Sequence, residues 1–286
     1  MIVFITGASS GLGVALAREY VRRYPGCTLG LTARREEQLR LLANSLCQPA
    51  AGRATTGRET GTIATCHIYP LDITDFDGLA TAADDFLARV GPPDVVIANA
   101  GVSAGTRAGD GQVFRHILQV NVAGLQATLD AFVPRMLAAG KGTLVGIGSV
   151  AGVRGLPGSS AYSASKAAVR TYLESLRVEL HDTPLNVVTI APGFIRTPMT
   201  QANNYTMPFL MDANRFATQA VDAISSGRRY VVIPWQMGWV ARALGCLPRF
   251  VYDRLFANAP RKSRLAEQQS PGSGSPDSGP GQPPAP

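Results

Sequence analysis

A tyrosine and a lysine four residues apart are the side chains of this sequence best suited to acid–base chemistry. Tyr162 and Lys166 stand in the segment YSASK, and this spacing places both on one face of a helix. A phenol with a reference pKa of about 10 is a poor acid–base catalyst at neutral pH, but a nearby ammonium lowers that pKa. The pair predicts a tyrosine that exchanges a proton with a bound molecule.

Two further polar residues precede this pair. Ser149 ends a predicted strand, Thr143–Ser149, where it can project into the crevice at the carboxyl end of a sheet. Asn121 lies in a predicted helix, Gly111–Ala139, and a poor helix former there indicates a buried role. Taken singly, each residue also fits an ordinary structural role. Together and in this order they indicate a catalytic group.

A glycine-rich turn follows the first predicted strand, Met1–Thr6, and leads into a predicted helix, Val14–Tyr24. Glycines permit a tight turn and let the backbone approach a pyrophosphate, which a helix N-terminus stabilises. An ordinary strand-to-helix turn is the alternative, but the position favours nucleotide binding. The residues expected to bind there are Gly7, Ser9, Ser10, Gly11, Leu12 and Gly13.

Two arginines follow the second predicted strand, Thr28–Ala33. An acidic residue at this point would bind the ribose 2′-hydroxyl of NAD(H). Arg34 and Arg35 instead suit charge-assisted hydrogen bonds to a 2′-phosphate, which favours NADP(H). The alternative is a solvated pair bound to Glu36 and Glu37.

Strands and helices alternate along the chain, which predicts βαβ units and an α/β fold. The result is a doubly wound parallel sheet of seven strands with helices on both faces. The remaining predicted strands are Ile63–Pro70, Asp94–Asn99, Asn186–Ala191 and Tyr230–Pro234. The remaining predicted helices are Glu36–Leu46, Asp75–Val90, Ser159–Leu180 and Asp212–Ser225.

These motifs resemble the short-chain dehydrogenase/reductase family of the common single-domain type, over about residues 1–235, and the resemblance implies a Rossmann fold. The matching positions are Thr6–Gly13, Asp72, Asn99, Ala100, Gly101, Asn121, Ser149, Tyr162, Lys166, Pro192, Gly193 and Thr197. Ile195, within the last segment, is also expected to bind the cofactor. One departure is Ala98, where the family often has a second asparagine.

The resemblance implies a role for each matching residue on the cofactor side. Asp72 would hydrogen-bond the adenine region, and the Asn99–Gly101 turn would support the cofactor. The segment from Pro192 to Thr197 would close on the nicotinamide.

On the catalytic side, the resemblance implies that Ser149 polarises the substrate oxygen and Tyr162 passes the proton. Lys166 would bind the nicotinamide ribose and lower the pKa of Tyr162, and Asn121 would hold a water that feeds a proton relay.

The chain has 286 residues and a net charge of +7, and 45% of its residues are hydrophobic. Eight basic residues and one acid lie between 228 and 264, so the remainder is nearly neutral, which argues against nucleic-acid binding.

Four scattered cysteines without a CxxC pair argue against a metal site or a disulfide framework and favour a cytoplasmic protein. We expect a catalytic domain over 1–235, a basic helical extension over 236–266 and a disordered tail over 267–286.

An uncharged segment between Thr197 and Asp212 occupies the position of the substrate lid in this family. Its apolar residues, Met199, Tyr205, Met207, Phe209, Leu210 and Met211, favour a neutral, apolar carbonyl or alcohol substrate. The alternative is that these residues only pack against the core. Arg196 is a candidate contact for an anion, so the sequence does not exclude acidic substrates.

The basic segment 235–264 predicts two short helices separated at Pro248. Aromatic and aliphatic residues beside arginines fit a helix in the interface of an anionic membrane, at its inner face. The alternative is that the segment covers the substrate site or packs against a second subunit. We also expect the protein to form a homo-oligomer.

Three functions compete at this point. An NADPH-dependent carbonyl reductase or alcohol dehydrogenase fits all the motifs. A catalytically silent, nucleotide-sensing regulator would be expected to lose Tyr162 or Lys166, and this sequence retains both. A sugar-nucleotide epimerase would need a larger substrate domain than the sequence after Thr197 supplies.

Overall fold

The computed structural model describes residues 1–48, 64–201, 203 and 205–258. The aperiodic sequence over 48–62 predicts a surface loop, and most of it lies outside these residues. The end of the predicted extension and the predicted tail also lie outside them. The described strands are β1 (Ile2–Thr6), β2 (Cys27–Ala33), β3 (Ala64–Pro70), β4 (Val95–Ala98), β5 (Gly142–Ile147), β6 (Leu185–Pro192), β7 (Ile195–Arg196), β8 (Met211–Asp212) and β9 (Tyr230–Ile233).

Seven of these strands form one parallel sheet in the order β3-β2-β1-β4-β5-β6-β9. The helices are α1 (Gly11–Arg23), α2 (Glu36–Cys47), α3 (Phe76–Val90), α4 (Gly111–Leu118), α5 (Gly124–Asp130), α6 (Val133–Ala138), α7 (Ser160–Glu179), α8 (Pro198–Gln201), α9 (Ala213–Ser225), α10 (Trp235–Cys246) and α11 (Arg249–Phe256). The predicted doubly wound fold is confirmed.

Successive residues of β1 point to opposite faces of the sheet, as in any strand. Val3 and Ile5 enter a buried cluster that includes residues of α1, α2 and α9. Phe4, between them, enters the other cluster, where it contacts the rings of Phe86 and Phe132. Both faces of the sheet are therefore covered by apolar side chains, which explains why β1 is an unbroken apolar run.

The single helix predicted over Gly111–Ala139 is wrong. A π-helical turn, Gln119–Ala123, separates α4 from α5, and the chain breaks again before α6. Pro134 lies in the first turn of α6, where its missing N–H leaves no hydrogen bond unmade. The apolar periodicity continued through both interruptions and did not reveal them.

Other short elements also lacked a sequence signal. β7 and β8 pair with each other outside the main sheet, and α8 has only four residues. The two short helices predicted on either side of Pro248 are confirmed as α10 and α11. Within the described part of the chain, no helix has the length and apolar character needed to cross a membrane.

Candidate active site

A cleft lies at the carboxyl ends of the strands, beside the neighbouring central strands β1 and β4, where the strand order reverses. Its volume is about 340 Å³, within the range of about 300–1,000 Å³ for small-molecule sites. The predicted residues that line it are Gly7, Ser9, Ser10, Gly11, Leu12, Arg34, Arg35, Asp72, Asn99, Ala100, Gly101, Ser149, Tyr162, Lys166, Pro192, Gly193, Ile195 and Thr197. Gly13 and Asn121 are not among its lining residues.

The glycine turn is too tight for side chains. At Gly7 the φ angle is +70°, and an added Cβ would lie 2.8 Å from the Cα of Ala100. At Gly13 an added Cβ would collide with the carbonyl oxygen of Gly7, so this glycine allows α1 to pack against the end of β1. Ser10, before α1, makes no side-chain capping bond. The first residues of α1, Gly11 and Leu12, line the cleft, and a helix N-terminus without a side-chain cap suits an anion.

Hydrogen bonds between Thr6 and Asn99 join the ends of β1 and β4. The Oγ1 atom of Thr6 accepts from the backbone N–H groups of Asn99 at 3.0 Å and Ala100 at 3.1 Å. The side-chain amide of Asn99 donates to the carbonyl of Thr6 at 2.9 Å. These bonds fix the floor of the cleft. Thr6 joins the two strand ends, a contact that the sequence did not indicate beyond its place in the glycine motif.

The two arginines after β2 reach different partners. Arg35 donates to the Oγ of Ser9 at 3.0 Å, and a guanidinium nitrogen of Arg34 lies 3.6 Å from a carboxylate oxygen of Asp72. Glu36, one of the acids considered as their partners, accepts from Arg40 at 2.6 Å. Both arginines therefore border the cleft rather than the outer face of α2.

Asp72 follows β3 and is held as a carboxylate. Its Oδ1 accepts from the backbone N–H of Thr74 at 3.0 Å and from the Thr74 hydroxyl at 2.8 Å. Burial raises the pKa of Asp72, but the Thr74 hydrogen bonds and the charge of Arg34 outweigh it and bring the pKa below its usual value. The carboxylate is therefore fixed beside Arg34 at the β2–β3 end of the cleft.

At the other end of the cleft, Ser149 follows β5 and Tyr162 lies in the first turn of α7. Ser149 accepts from the backbone N–H of Ala151 at 3.1 Å. Burial raises the pKa of Tyr162 above its ordinary value, a hydrogen bond with Ser149 lowers it, and the nearby Tyr205 raises it. The net shift is upward, so the phenol keeps its proton at neutral pH.

Lys166 is buried one turn further along α7. Its Nζ donates to the carbonyl of Ile147 at 2.8 Å and lies 5.9 Å from the centre of the Tyr162 ring. Desolvation of the phenol dominates, so the net shift of the Tyr162 pKa is upward and not the expected lowering. Burial also lowers the pKa of Lys166 itself, to about 8.

Asn121 has the predicted buried position, with none of its surface exposed. Its Oδ1 accepts from the N–H of Val102 at 2.8 Å, and its Nδ2 donates to the carbonyl of Val102 and the hydroxyl of Ser165, each at 3.0 Å. The side chain fastens the loop after β4 to α7. It stands behind the cleft wall near Lys166, and Ser165 is a partner that no sequence pattern indicated.

Several apolar residues of the cleft wall were also missed. Leu71 and Ile73 flank Asp72, and Val102, Val120 and Ile147 line the middle of the cleft. They belong to strand ends and loops whose apolar residues are indistinguishable in sequence from core positions. The only usable signal was their adjacency to motif residues.

The lid combines both alternatives considered for it. Met211 is buried, whereas Met199, Phe209 and Leu210 are exposed. Met199 also lines the cleft. Arg196, the candidate contact for an acidic substrate, is exposed and is not a lining residue of the cleft. The lid therefore offers the cleft apolar contacts.

The helices α10 and α11 pack against the loops on both sides of the catalytic residues. A Cβ on Gly193 would lie 2.5 Å from the Cγ of Met237 in α10. The guanidinium of Arg154 donates to the carbonyl of Leu247 at 3.1 Å and lies 4.4 Å from the ring centre of Tyr252. The Tyr252 hydroxyl donates to the carbonyl of Gly155. The buried faces of these helices therefore belong to the chain's own packing.

Comparisons with known proteins agree with this geometry. The profile of the family described as short chain dehydrogenase matches residues 1–208. An uncharacterized oxidoreductase of Myxococcus xanthus is 39% identical over 251 residues, which cover 87% of this chain and 93% of the relative.

Solved structures show the same fold. A short-chain dehydrogenase from Streptomyces avermitilis superposes with a TM-score of 0.71 at 25% identity, covering 85% of this chain and 91% of the other. An alcohol dehydrogenase from Thermococcus sibiricus, complexed with 5-hydroxy-NADP, gives a TM-score of 0.67 at 26% identity, covering 81% and 95%. With its parallel sheet, glycine turn and Ser149–Tyr162–Lys166 group, this chain belongs to the short-chain dehydrogenase/reductase family of oxidoreductases.

Proposed function

We propose that this protein is an NADP(H)-dependent reductase that converts apolar carbonyl compounds to alcohols. The observation that carries the proposal is the arrangement of Tyr162, Ser149 and Lys166 at one end of a cleft whose other end is bordered by Arg34. The family acts through nicotinamide cofactors, and its general dehydrogenase or reductase reaction needs this combination of sites.

The residues of the cleft fit a nicotinamide dinucleotide. The space that a Cβ on Gly7 would fill lies against Ala100, and the uncapped first turn of α1 suits a pyrophosphate. Arg34 and Arg35 suit a 2′-phosphate, and the segment from Pro192 to Thr197 borders the nicotinamide end. When bound, the cofactor supplies the hydride that the carbonyl carbon accepts.

The chain's own residues handle the substrate oxygen and the proton. Ser149 donates a hydrogen bond to the carbonyl oxygen and orients it towards Tyr162. Tyr162 donates its proton to that oxygen as the C–O double bond becomes a C–O single bond, so the product is an alcohol. The Tyr162 phenol keeps its proton at neutral pH, the form that can donate to the substrate oxygen.

Lys166 and Asn121 support the proton transfer in this proposal. The Lys166 ammonium, buried beside the tyrosine, stabilises the phenolate that remains after the proton has left. It also holds the cofactor ribose. A water near Asn121 returns a proton from solvent to Tyr162. The fixed Asn121 amide keeps the loop after β4 in place for this relay.

The apolar lid supports an apolar substrate. Met199 reaches the cleft, and Arg196 lies outside its lining. A substrate carboxylate would therefore lose its hydration without gaining an ion pair there. Neutral ketones and aldehydes avoid this cost.

The experiment that tests the proposal follows NADPH absorbance with a panel of neutral apolar ketones and aldehydes, with keto acids of matched size as controls. We expect oxidation of NADPH with several neutral members and much slower oxidation with the keto acids. Tight NADPH binding without oxidation by any member would instead identify the silent, nucleotide-sensing regulator.

Cofactor preference depends on Arg34. Replacing Arg34 with alanine should raise KM for NADPH about 10- to 100-fold and leave KM for NADH nearly unchanged. This change in KM corresponds to the loss of charge-assisted hydrogen bonds worth about 1.5–3 kcal/mol. Steady-state kinetics with each cofactor measure the effect.

The matched control is Arg40→Ala, because Arg40 is an exposed arginine on α2 that pairs with Glu36. Its replacement should change neither KM. If Arg34→Ala raised KM for NADPH and KM for NADH equally, Arg34 would not bind the 2′-phosphate.

A further inference from the structure

We propose that an exposed aromatic face beside the lid docks on an anionic lipid surface. The class of substrate that follows from this docking rests on the proposed function, whereas the docking itself does not. The face consists of Phe209 and Leu210 in the lid and Trp235 and Trp239 in α10, and is called the tryptophan face below. Both tryptophans of the chain belong to it.

The side chains of the tryptophan face are unusually exposed. Trp235 is 67% exposed, Trp239 is 63% exposed and Phe209 is 50% exposed. The two tryptophans are one helical turn apart and so lie on the same side of α10. The opposite side of this helix is buried through Met237 and Ala241. Fold stability therefore explains the buried side of α10 but not its tryptophans.

The lid and α10 contribute to one continuous surface. Phe209, Leu210 and Trp235 line a single groove together with Pro234. Phe209 has a φ of +55°, a left-handed conformation that is rare for a bulky residue. Half of its side chain is exposed to solvent, so this strained conformation is not explained by burial in the core. Met199 of the same lid segment lines the active-site cleft, so the segment that carries Phe209 and Leu210 also reaches that cleft.

Positive charge accompanies the aromatic rings. Arg242 lies on the same side of α10, with its guanidinium carbon 5.4 Å from the ring centre of Trp239. Arg215 lines the groove. One acid, Asp212, also lines it, but its carboxylate accepts from the N–H of Asn214 at 2.8 Å and caps α9. The following helix α11 adds exposed Phe250 and Leu255 beside two arginines.

The positive charge distinguishes between two partners for the tryptophan face, a second copy of the chain and an anionic bilayer. A second copy of the chain in a two-fold dimer would bring the same patch against itself, so that Arg242 would approach its own counterpart. An anionic bilayer instead matches both features, because tryptophans favour the membrane interface and arginines attract acidic headgroups. The tryptophan face therefore fits the surface of a bilayer rich in anionic lipid.

Docking in this orientation has a consequence for the substrate. The lid would open towards the bilayer, so that a carbonyl compound with a long apolar chain could pass from the lipid into the cleft. The substrate class is then a lipophilic ketone or aldehyde that partitions into membranes.

The test of docking is cosedimentation of the full chain with vesicles of phosphatidylcholine alone or mixed with phosphatidylserine, at low and high salt. We expect binding to the anionic vesicles at low salt and weaker binding at high salt. The double variant Trp235→Ser/Trp239→Ser should lose at least 10-fold in vesicle affinity. The control Leu41→Ser/Val178→Ser removes equally exposed apolar side chains from α2 and α7 and should bind like the original chain.

Thermal unfolding establishes that each variant is folded, so the result does not depend on turnover. The proposal is overturned if the folded original chain stays in the supernatant with anionic vesicles at low salt. It is also overturned if the tryptophan variant keeps its affinity. Sedimentation velocity distinguishes the competing occupant: dissociation of an oligomer by the tryptophan substitutions, without any vesicle binding, would make the face a subunit interface.

A second measurement tests the substrate consequence. Reduction of a long-chain ketone presented in anionic vesicles should slow at least 10-fold in the tryptophan variant, while reduction of a short water-soluble ketone stays unchanged. Equal rates on the vesicle-borne ketone would refute delivery from the bilayer. Lack of turnover with both ketones in the original chain would refute the proposed reduction and leave the vesicle-binding result standing.

Discussion

Replacing Tyr162 with phenylalanine should reduce turnover by about 10²–10⁴-fold, the usual contribution of a positioned proton donor. NADPH binding should remain nearly intact, because only the hydroxyl is removed and the ring still occupies its place in α7. Turnover with the best ketone and the dissociation constant of NADPH, measured by fluorescence titration, separate the two effects.

The matched control for this substitution is Tyr172→Phe. Tyr172 lies in the same helix, and its hydroxyl bonds to Asp130 at the surface, 3.4 Å away. This variant should keep its turnover. Near-normal activity of Tyr162→Phe would show that another group donates the proton, and the mechanism proposed above would fail.

Replacing Lys166 with methionine should stabilise the fold at pH 7. Burial lowers the pKa of this lysine from 10.5 to about 8, so its charge costs the folded state about 3 kcal/mol at neutral pH. The lost hydrogen bond to Ile147 offsets about 1 kcal/mol of this gain. The net expectation is a variant about 2 kcal/mol more stable but catalytically impaired.

The stability advantage of Lys166→Met should decrease as pH rises. Between pH 8 and 10.5 the unfolded chain binds the lysine proton and the folded chain has released it, so the original protein gains stability as pH rises. The advantage of Lys166→Met should therefore shrink by about 2–3 kcal/mol between pH 7 and pH 10. Urea unfolding of both proteins at the two pH values measures this difference.

Lys141→Met serves as the control, since it removes the same charge from an exposed lysine that pairs with Asp94. It should give no comparable stabilisation at pH 7. A Lys166→Met variant that is less stable than the original at pH 7 would mean that the ammonium is favourably bound in the fold.

Much of the fold could be predicted because the strands are apolar runs that end at recognisable turns. Gly7 after β1, Arg34 after β2, Asp72 after β3 and Ser149 after β5 each mark the carboxyl end of a strand. Parallel strands bring such ends together, so the cleft could be inferred from the residues that follow them. The structure adds their order across the sheet.

What could not be predicted depends on contacts between distant residues. The π-helical turn around Asn121 coincides with the bonds of its amide to Val102 and Ser165, and no local pattern specifies those bonds. The bond from Lys166 to Ile147 joins residues of different elements. A four-residue spacing predicted the shared helix face of Tyr162 and Lys166, but it could not show that the ammonium points to the backbone.

The packing of α10 and α11 has a consequence for how specificity can diverge. The matched family region ends at residue 208, yet Met237 and Tyr252 contact the loops on either side of the reacting groups. Changes in these helices can reshape the substrate site while the residues that transfer the proton stay unaltered. A redesign of the lid in this chain would therefore have to preserve the contacts that Met237 and Tyr252 make with those loops.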